Sequence, residues 1–308
     1  MPDRPVSERP VPEQPVPEAE PLPPLVLCAD DFGMSRAVSE AIARLARDRC
    51  INAIGCMANM PGWGADARLL DGIEQVTCGS LGRVQVGLHL VLASERPLGP
   101  VGGLRADGTM PGPDRMLVRA LTGRLDLAGI SAEIDRQFAA FRAVRGCPPD
   151  FVDAHQHVHV YPGIRQAVIA ATRRHAPGAW VRVPGDRIGA MLARPFAAKA
   201  IGSTLHAVGL RRQLARAGLR CNASFAGHYD FAGSFRSHLD AFLGFGSAAH
   251  LVMCHPGSGA AADDPIAAAR SEEAAVIAQM QLEHRFRQAP DRTRRSPAPV
   301  RPLAPRCG

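Results

Sequence analysis

The 308-residue chain has no apolar run approaching the ~18 residues of a transmembrane helix. Its N-terminus also lacks the basic-then-apolar order of an export signal, so a cytoplasmic protein is expected. There is no C-x-x-C pair among the eight cysteines, which at this length argues against a disulfide framework. Cys28 and Cys254 lie inside apolar runs and read as small buried hydrophobes. Walker A and G-x-S-x-G sequences are missing, which removes a P-loop phosphate cradle and a serine-hydrolase elbow. Basic and aromatic residues do not interleave as a single-strand nucleic-acid surface requires. Gly244-Phe-Gly-Ser-Ala-Ala249 resembles a dinucleotide fingerprint but precedes a strand, so its glycines cannot open a helix toward a pyrophosphate. No internal repeat is present.

The ends differ from the body. Residues 1–24 hold nine prolines and no aromatic residue, too little apolar surface to offset the entropy of ordering, and a disordered or polyproline tail is expected. From Arg285 onward seven arginines face one aspartate, which nearly accounts for the net charge of +7. The basic balance is thus a property of a second disordered tail, 285–308, rather than a nucleic-acid footprint.

Between the tails, short apolar runs alternate with amphipathic ones. Strands are expected at Leu25–Ala29, Ile51–Met57, Val84–His89, Phe151–Val152, Trp180–Val183, Leu219–Ala223 and His250–Cys254. Helices are expected after the Ser35 cap, near Gly64–Ile73, at Ser131–Val144, after Pro162, up to about Ala217, at Phe235–Leu243 and from Pro265. Residues 93–114 are rich in Gly and Pro, without periodicity, and read as a long loop over one end of the fold, as functional lids often do. Strand-then-helix order with strands apolar on both faces predicts a parallel sheet covered by helices. About seven such strands suit a single β/α barrel over residues 25–284, within the size of such folds.

Polar residues fall at the ends of these strands. Asp30 and Asp31 follow the first, His89 ends the third, Asp153 and His155 end the fourth, Arg182 lies in the fifth and His255 follows the last. In parallel α/β folds the carboxyl ends of strands share one rim, so these distant groups converge. The run Asp153-Ala-His155-Gln-His157-Val-His159 would place four polar groups on one face of an extended backbone. Four residues of strand span ~13 Å, so at most two of the three imidazoles would share an ion. Asp31, His89 and His155 supply a carboxylate and two imidazoles, a set better suited to Zn²⁺, Mn²⁺, Fe²⁺, Co²⁺ or Ni²⁺ than to Ca²⁺. Adjacent aspartates cannot both face that ion from an ideal strand, which leaves Asp30 for another task such as general base.

Ala29-Asp-Asp-Phe-Gly33, Val86-Gly-Leu-His-Leu90, Asp153-Ala-His-Gln-His-Val-His159 and Val252-Met-Cys-His-Pro256 resemble, in order and spacing, the YdjC-like carbohydrate deacetylases, a group that includes chitooligosaccharide deacetylases and hopanoid-associated deacetylases. The resemblance covers about Leu25 to Ile277. It implies a β/α barrel of the glycoside hydrolase/deacetylase type, one divalent ion (Mg²⁺ or Zn²⁺) and hydrolysis of an N-acetyl group on an amino sugar. By motif, Asp31, His89 and His155 stand as metal ligands, Asp30 as base, His255 as acid and Arg182 as the group orienting Asp30. Asp153, His157 and His159 then contact the ligands or the substrate. Where the family commonly has Thr-Ser near the start of strand two this chain has Asn52-Ala53, which implies altered substrate contacts there. The family's usual final helix and strand are not recognisable after Glu273.

The resemblance leaves the substrate open between a soluble chitooligosaccharide and a glycosylated hopanoid-type lipid, the latter with peripheral membrane contact; a homodimer is also open. The alternatives are a metal-dependent phosphoesterase and a non-catalytic sugar- or metal-binding barrel. A phosphoesterase would want more positive charge at the rim than Arg182 and usually a second metal.

Overall fold

The computed structural model describes residues 22–192, 197–244, 249–259 and 264–280. Residues 1–21 of the first expected tail, all of the second, and residues 245–248 of the glycine-rich segment lie outside this set. The elements run β1 (Leu25–Phe32), α1 (Arg36–Arg47), β2 (Ala53–Cys56), α2 (Trp63–Asp66), β3 (Gln85–Leu90), α3 (Pro113–Leu121), α4 (Leu127–Arg145) and β4 (Phe151–Ala154). They continue with α5 (Ile164–His175), β5 (Trp180–Val181), α6 (Ile188–Leu192), α7 (Ala197–Arg216), β6 (Ser224–Ala226), α8 (Phe235–Leu243), β7 (His250–Cys254) and α9 (Ala267–Ala278). No helix among the described residues is long and apolar enough to cross a membrane.

Local signals set the helix ends. Ser35 is extended and accepts from the Val38 N–H, opening α1, whose Val38, Ile42, Leu45 and Ala46 are buried. Asp126 caps α4 through the Gly129 N–H, and Gly146 at φ 73° ends it in the left-handed conformation that glycine adopts without penalty. The helix expected over Gly64–Ile73 is instead one turn, α2, followed by 3₁₀ turns at Ala67–Leu70 and Ile73–Gln75.

All seven strands pair in parallel in the order β5-β4-β3-β2-β1-β7-β6, forming a curled half-barrel with helices around it. Its two edges approach at a seam where Val181 bridges Cys221. Beside that bridge the Asn222 amide accepts from the Val183 N–H at 2.7 Å and donates to the Val183 carbonyl at 3.0 Å, so a side chain replaces a missing ladder. The sixth strand therefore lies at Ser224–Ala226, later than the expected Leu219–Ala223, because the Cys221–Asn222 stretch forms the seam. Asn52 has a similar role at the opposite end from the polar rim: its amide bonds the Leu27 N–H and the Leu25 and Leu81 carbonyls. Its side-chain amide is thus committed to a structural tie.

Alternation along the strands divides the core. Leu25, Leu27, Ile54, Val86, Leu88, Val152 and Val252 face the helices. Val26, Cys28, Ala53, Phe151, Trp180, Phe225, Leu251 and Met253 form a separate cluster within the curl. Phe151 stacks on Trp180 with centroids 4.7 Å apart, and the space for that pair comes from Gly87. A Cβ on Gly87 would stand 2.5 Å from the Phe151 ring.

The loop expected over 93–114 has no helix or strand before Pro113. It is fastened to α4, however. Glu133 accepts from the Leu98 and Gly99 N–H groups, and Gln137 brackets both backbone groups of Val91. These buried side chains make the base of the loop a fixed wall.

Gly87→Ala should therefore overpack the interior at a cost of about 1–3 kcal/mol. A fall in melting temperature of about 2–12 °C is expected for a chain of this size. An unchanged thermal transition would show that Phe151 can move aside freely.

Candidate metal and catalytic centre

The first strand resolves the problem of its adjacent aspartates through a bulge. Three residue steps on β1, Ala29 to Phe32, oppose two on β2, Ile54 to Cys56, and Asp31 takes φ 69° within the extra step. Aspartate is among the few non-glycine residues that tolerate this conformation. Asp30 stays on the inward-facing register, and the bulge turns Asp31 back to the same side. Gly33, at φ 96°, completes the turn, while the Ser39 hydroxyl accepts its N–H at 3.0 Å.

The histidine run does not continue the strand. β4 ends at Ala154, a 3₁₀ segment covers His155–Val160, and Gln156 and His157 have φ of 55° and 57°. The expected one-sided extended array is corrected accordingly: the turn sends each histidine to a different place. His155 Nδ1 approaches Asp31 Oδ1 at 3.1 Å. His157 packs near Phe225 and His228, with ring centroids at 5.6 and 5.3 Å. His159 is fully buried and donates from Nε2 to the Arg182 carbonyl at 2.9 Å, fastening the turn to β5.

His89 sits at the meeting point. It pairs in register with Asp153 and donates from Nδ1 to the Asp153 carboxylate at 2.8 Å. Its other nitrogen, Nε2, faces Asp31 Oδ1 at 3.5 Å. A carboxylate behind the imidazole is the usual device for orienting a histidine toward a cation. Gly55 makes room, since a Cβ there would lie 3.3 Å from Asp30 Oδ1 and 3.4 Å from His89. Donor atoms of Asp31, His89 and His155 lie within 4.8 Å of one another, as do those of Asp30, His89 and Asp153.

The second of these groups already holds a cation of its own. Arg182, just past β5 and fully buried, crosses the curl to grip both oxygens of Asp30 at 2.5 and 2.6 Å. It also reaches Asp153 Oδ2 at 2.8 Å. Burial opposes ionisation of Asp30, yet the Arg182 charge and hydrogen bonds hold its carboxyl below the ordinary range. Burial likewise opposes Asp31, and His155, His89 and Arg270 together hold it well below that range. For His89, burial alone would favour the neutral ring, but Asp153 and Asp30 outweigh it and raise the imidazole to about 10. His255 follows β7 on the rim. Burial pushes it down to about 4, its ring meets Phe231 at 5.4 Å, and its Nδ1 has no hydrogen-bond partner among the described residues.

Sequence reasoning missed two groups on α9. Arg270 Nη2 binds Asp31 Oδ2 at 2.7 Å, and Glu273, fully buried, accepts from the His255 N–H and the Tyr229 hydroxyl. Burial raises Glu273 to about 7. A signal existed: Arg270, Glu273, Ala274 and Ile277 follow i, i+3, i+4, i+7, so two charged residues occupy the inward stripe of an otherwise apolar helix face.

A curled parallel sheet that gathers carboxylates and imidazoles on its carboxyl rim defines a β/α-barrel enzyme centre. Known proteins agree. The family model described as YdjC-like protein matches residues 24–288. A chitooligosaccharide deacetylase of Klebsiella pneumoniae (strain 342) is 28% identical over 232 residues, 75% of this chain and 81% of its own. A carbohydrate deacetylase of Homo sapiens is 26% identical over 258 residues, 76% and 74% of the two chains. A chitooligosaccharide deacetylase of Proteus mirabilis (strain HI4320) is 31% identical over 140 residues, 46% of this chain and 51% of that protein's length. Among solved structures, an Enterococcus faecalis V583 protein named for cellobiose-phosphate cleavage aligns with TM-score 0.64 over 86% of this chain and 94% of its own, at 18% identity, a likeness of fold alone. The chain belongs to the YdjC-like protein family, the family of these carbohydrate deacetylases.

The raised His89 links the centre to pH. Its ion pairing contributes stability that is fully present below its unfolded value near 6.5 and is lost as pH rises through about 10. In metal-free protein, the His89 ring should remain protonated at pH 8 by ¹⁵N NMR. Asp153→Asn should lower its titration by at least about one unit. A neutral His89 ring at pH 8 in the unaltered protein would contradict this electrostatic picture.

Proposed function

We propose that this protein hydrolyses the N-acetyl group of an amino-sugar-containing carbohydrate, using one divalent ion held by Asp31, His89 and His155. The observation that carries the reading is the convergence of those three donors beside an ionised Asp30 and a His255 nitrogen with no hydrogen-bond partner among the described residues, in a chain whose curated relatives are named carbohydrate deacetylases. The donor set fits a cation: His89 is aimed by Asp153, and a carboxylate with two imidazoles suits Zn²⁺ over Ca²⁺, with Mg²⁺ the other candidate. The chemistry such an ion supplies when bound is Lewis acidity, which acidifies water and polarises the acetyl carbonyl.

The remaining steps belong to the chain's own residues. Asp30, kept ionised and oriented by Arg182, takes a proton from the attacking water. The proton that Asp30 takes from the water is the one the departing amine must receive, and His255, neutral in the resting site, relays it from the water side to the amine nitrogen as the C–N bond breaks. The partly buried His157 and His228, backed by the buried Phe225, form a ring-lined wall that suits the face of a sugar. The phosphoesterase alternative loses support because Arg182 fills the Asp30–His89–Asp153 cluster that a second ion would need. The relatives' names favour a chitooligosaccharide, and no feature of the described residues specifically favours a hopanoid-type glycolipid.

Acetate and phosphate release should be measured on N-acetylated chitooligosaccharides, an N-acetylated glycolipid and a generic phosphoester, with and without chelator. Acetate release that stops on chelation and returns with Zn²⁺ or Mg²⁺ is expected; phosphate release without acetate would overturn the reading. Asp30→Asn and His255→Ala should each lose about 10²- to 10⁴-fold in kcat. Asp30→Asn should keep the ion, whereas His89→Ala should lose both ion and activity. A fully active Asp30→Asn protein would remove Asp30 from the role of base.

A further inference from the structure

Asp31 is gripped from both sides. Its Oδ1 faces His155 Nδ1 at 3.1 Å and His89 Nε2 at 3.5 Å, the direction in which the three donors converge. Its Oδ2 faces away, onto Arg270 Nη2 at 2.7 Å. Arg270 is itself tightly held. Its Nε pairs with Asp264 at 2.7 Å, Nη1 reaches the His255 carbonyl at 3.4 Å, and Nη2 also touches Met34 Sδ at 3.2 Å. Gly257 clears a path for its stem, because a Cβ there would stand 3.1 Å from Arg270 Cβ and Cδ. Arg270 as a whole is only 3% exposed. One group thus determines how Asp31 stands, from a helix that contributes nothing else to the three donors.

That arrangement has a consequence for cation choice. Ca²⁺ gathers six to eight oxygens and commonly takes both oxygens of a carboxylate, whereas Zn²⁺ is satisfied by three protein donors and an open position. A carboxylate whose second oxygen is pinned by a buried guanidinium offers one oxygen only. We infer that Arg270 is a positioning residue that sets the centre's cation selectivity, by withholding Asp31 Oδ2 and so disfavouring large oxygen-seeking ions. The inference rests on the metal-centre reading above.

The sign of the effect separates this role from a structural one. Loss of a merely structural arginine would weaken every ion alike. Loss of this one frees an oxygen and removes a positive charge beside the site, so Ca²⁺ binding gains relative to Zn²⁺ while the open position is consumed. Calorimetric titration of metal-free protein with Zn²⁺ and with Ca²⁺ reads this directly. For Arg270→Ala, the ratio of the Ca²⁺ Kd to the Zn²⁺ Kd should fall at least about tenfold. Millimolar guanidinium should restore it. Arg270→Gln, closer in volume, should show the same direction if the alanine protein fails to fold. A ratio unchanged within twofold in a folded variant would overturn the inference. So would a Zn²⁺-loaded crystal structure of the unaltered protein in which Asp31 Oδ2 lies on the ion. An unaltered protein that binds neither ion would overturn the metal centre itself and the inference with it. A protein that binds ions with an unchanged ratio in the variants loses only the role of Arg270.

Discussion

The buried guanidinium of Arg182 is the interaction on which the centre depends. Three carboxylates, Asp30, Asp31 and Asp153, are each almost wholly removed from water, a condition that is strongly unfavourable without compensation. Arg182 compensates two of them and Arg270 the third. The proton on His89 supplies the remaining positive charge in the metal-free protein. Because Arg182 emerges from β5 and grips residues of β1 and β4, the same contacts that neutralise the site also brace the curl across its interior. Breaking such a pair by removing one partner typically costs about 3–5 kcal/mol, so the site and the fold share this residue.

Space in the interior is allotted with equal care. Glycine at 87 admits the Phe151–Trp180 stack, and glycine at 55 admits the contact between Asp30 and His89. Apolar rings fill the lower layer and charged groups the upper, with Cys28 between them within 3.0 Å of Arg182. The polar rim is thereby supported from beneath by a packed floor, which keeps donors at fixed separations.

Much of this was legible in the sequence, and the particular residues explain why. Apolar runs bounded by turn residues located six of the seven strands, since a strand buried on both faces leaves a strong signal. The sixth was displaced because Cys221–Asn222 look like strand sequence while a side-chain amide there forms the seam. Asp30, Asp31, His89, Asp153, His155, Arg182 and His255 could be named because strand ends mark the rim, and the structure brings their side chains together as residue types in order suggested. Alternation failed wherever backbone left the regular regions. The bulge at Asp31 and the left-handed pair Gln156–His157 are local departures that no periodicity announces. Arg270 and Glu273 escaped notice because a helix remote in sequence carries them, and the structure is what shows its charged residues turned inward.

Arg182 also makes a commitment about number. Its guanidinium stands between Asp30 and Asp153 and occupies the second group of converging donors, so one ion is proposed, at Asp31, His89 and His155. The most direct test is the stoichiometry of Zn²⁺ bound to metal-free protein, read by calorimetry and by elemental analysis after dialysis. One ion per chain, abolished by His89→Ala, is the predicted result; two ions per chain, or one that survives loss of His89, would contradict the account.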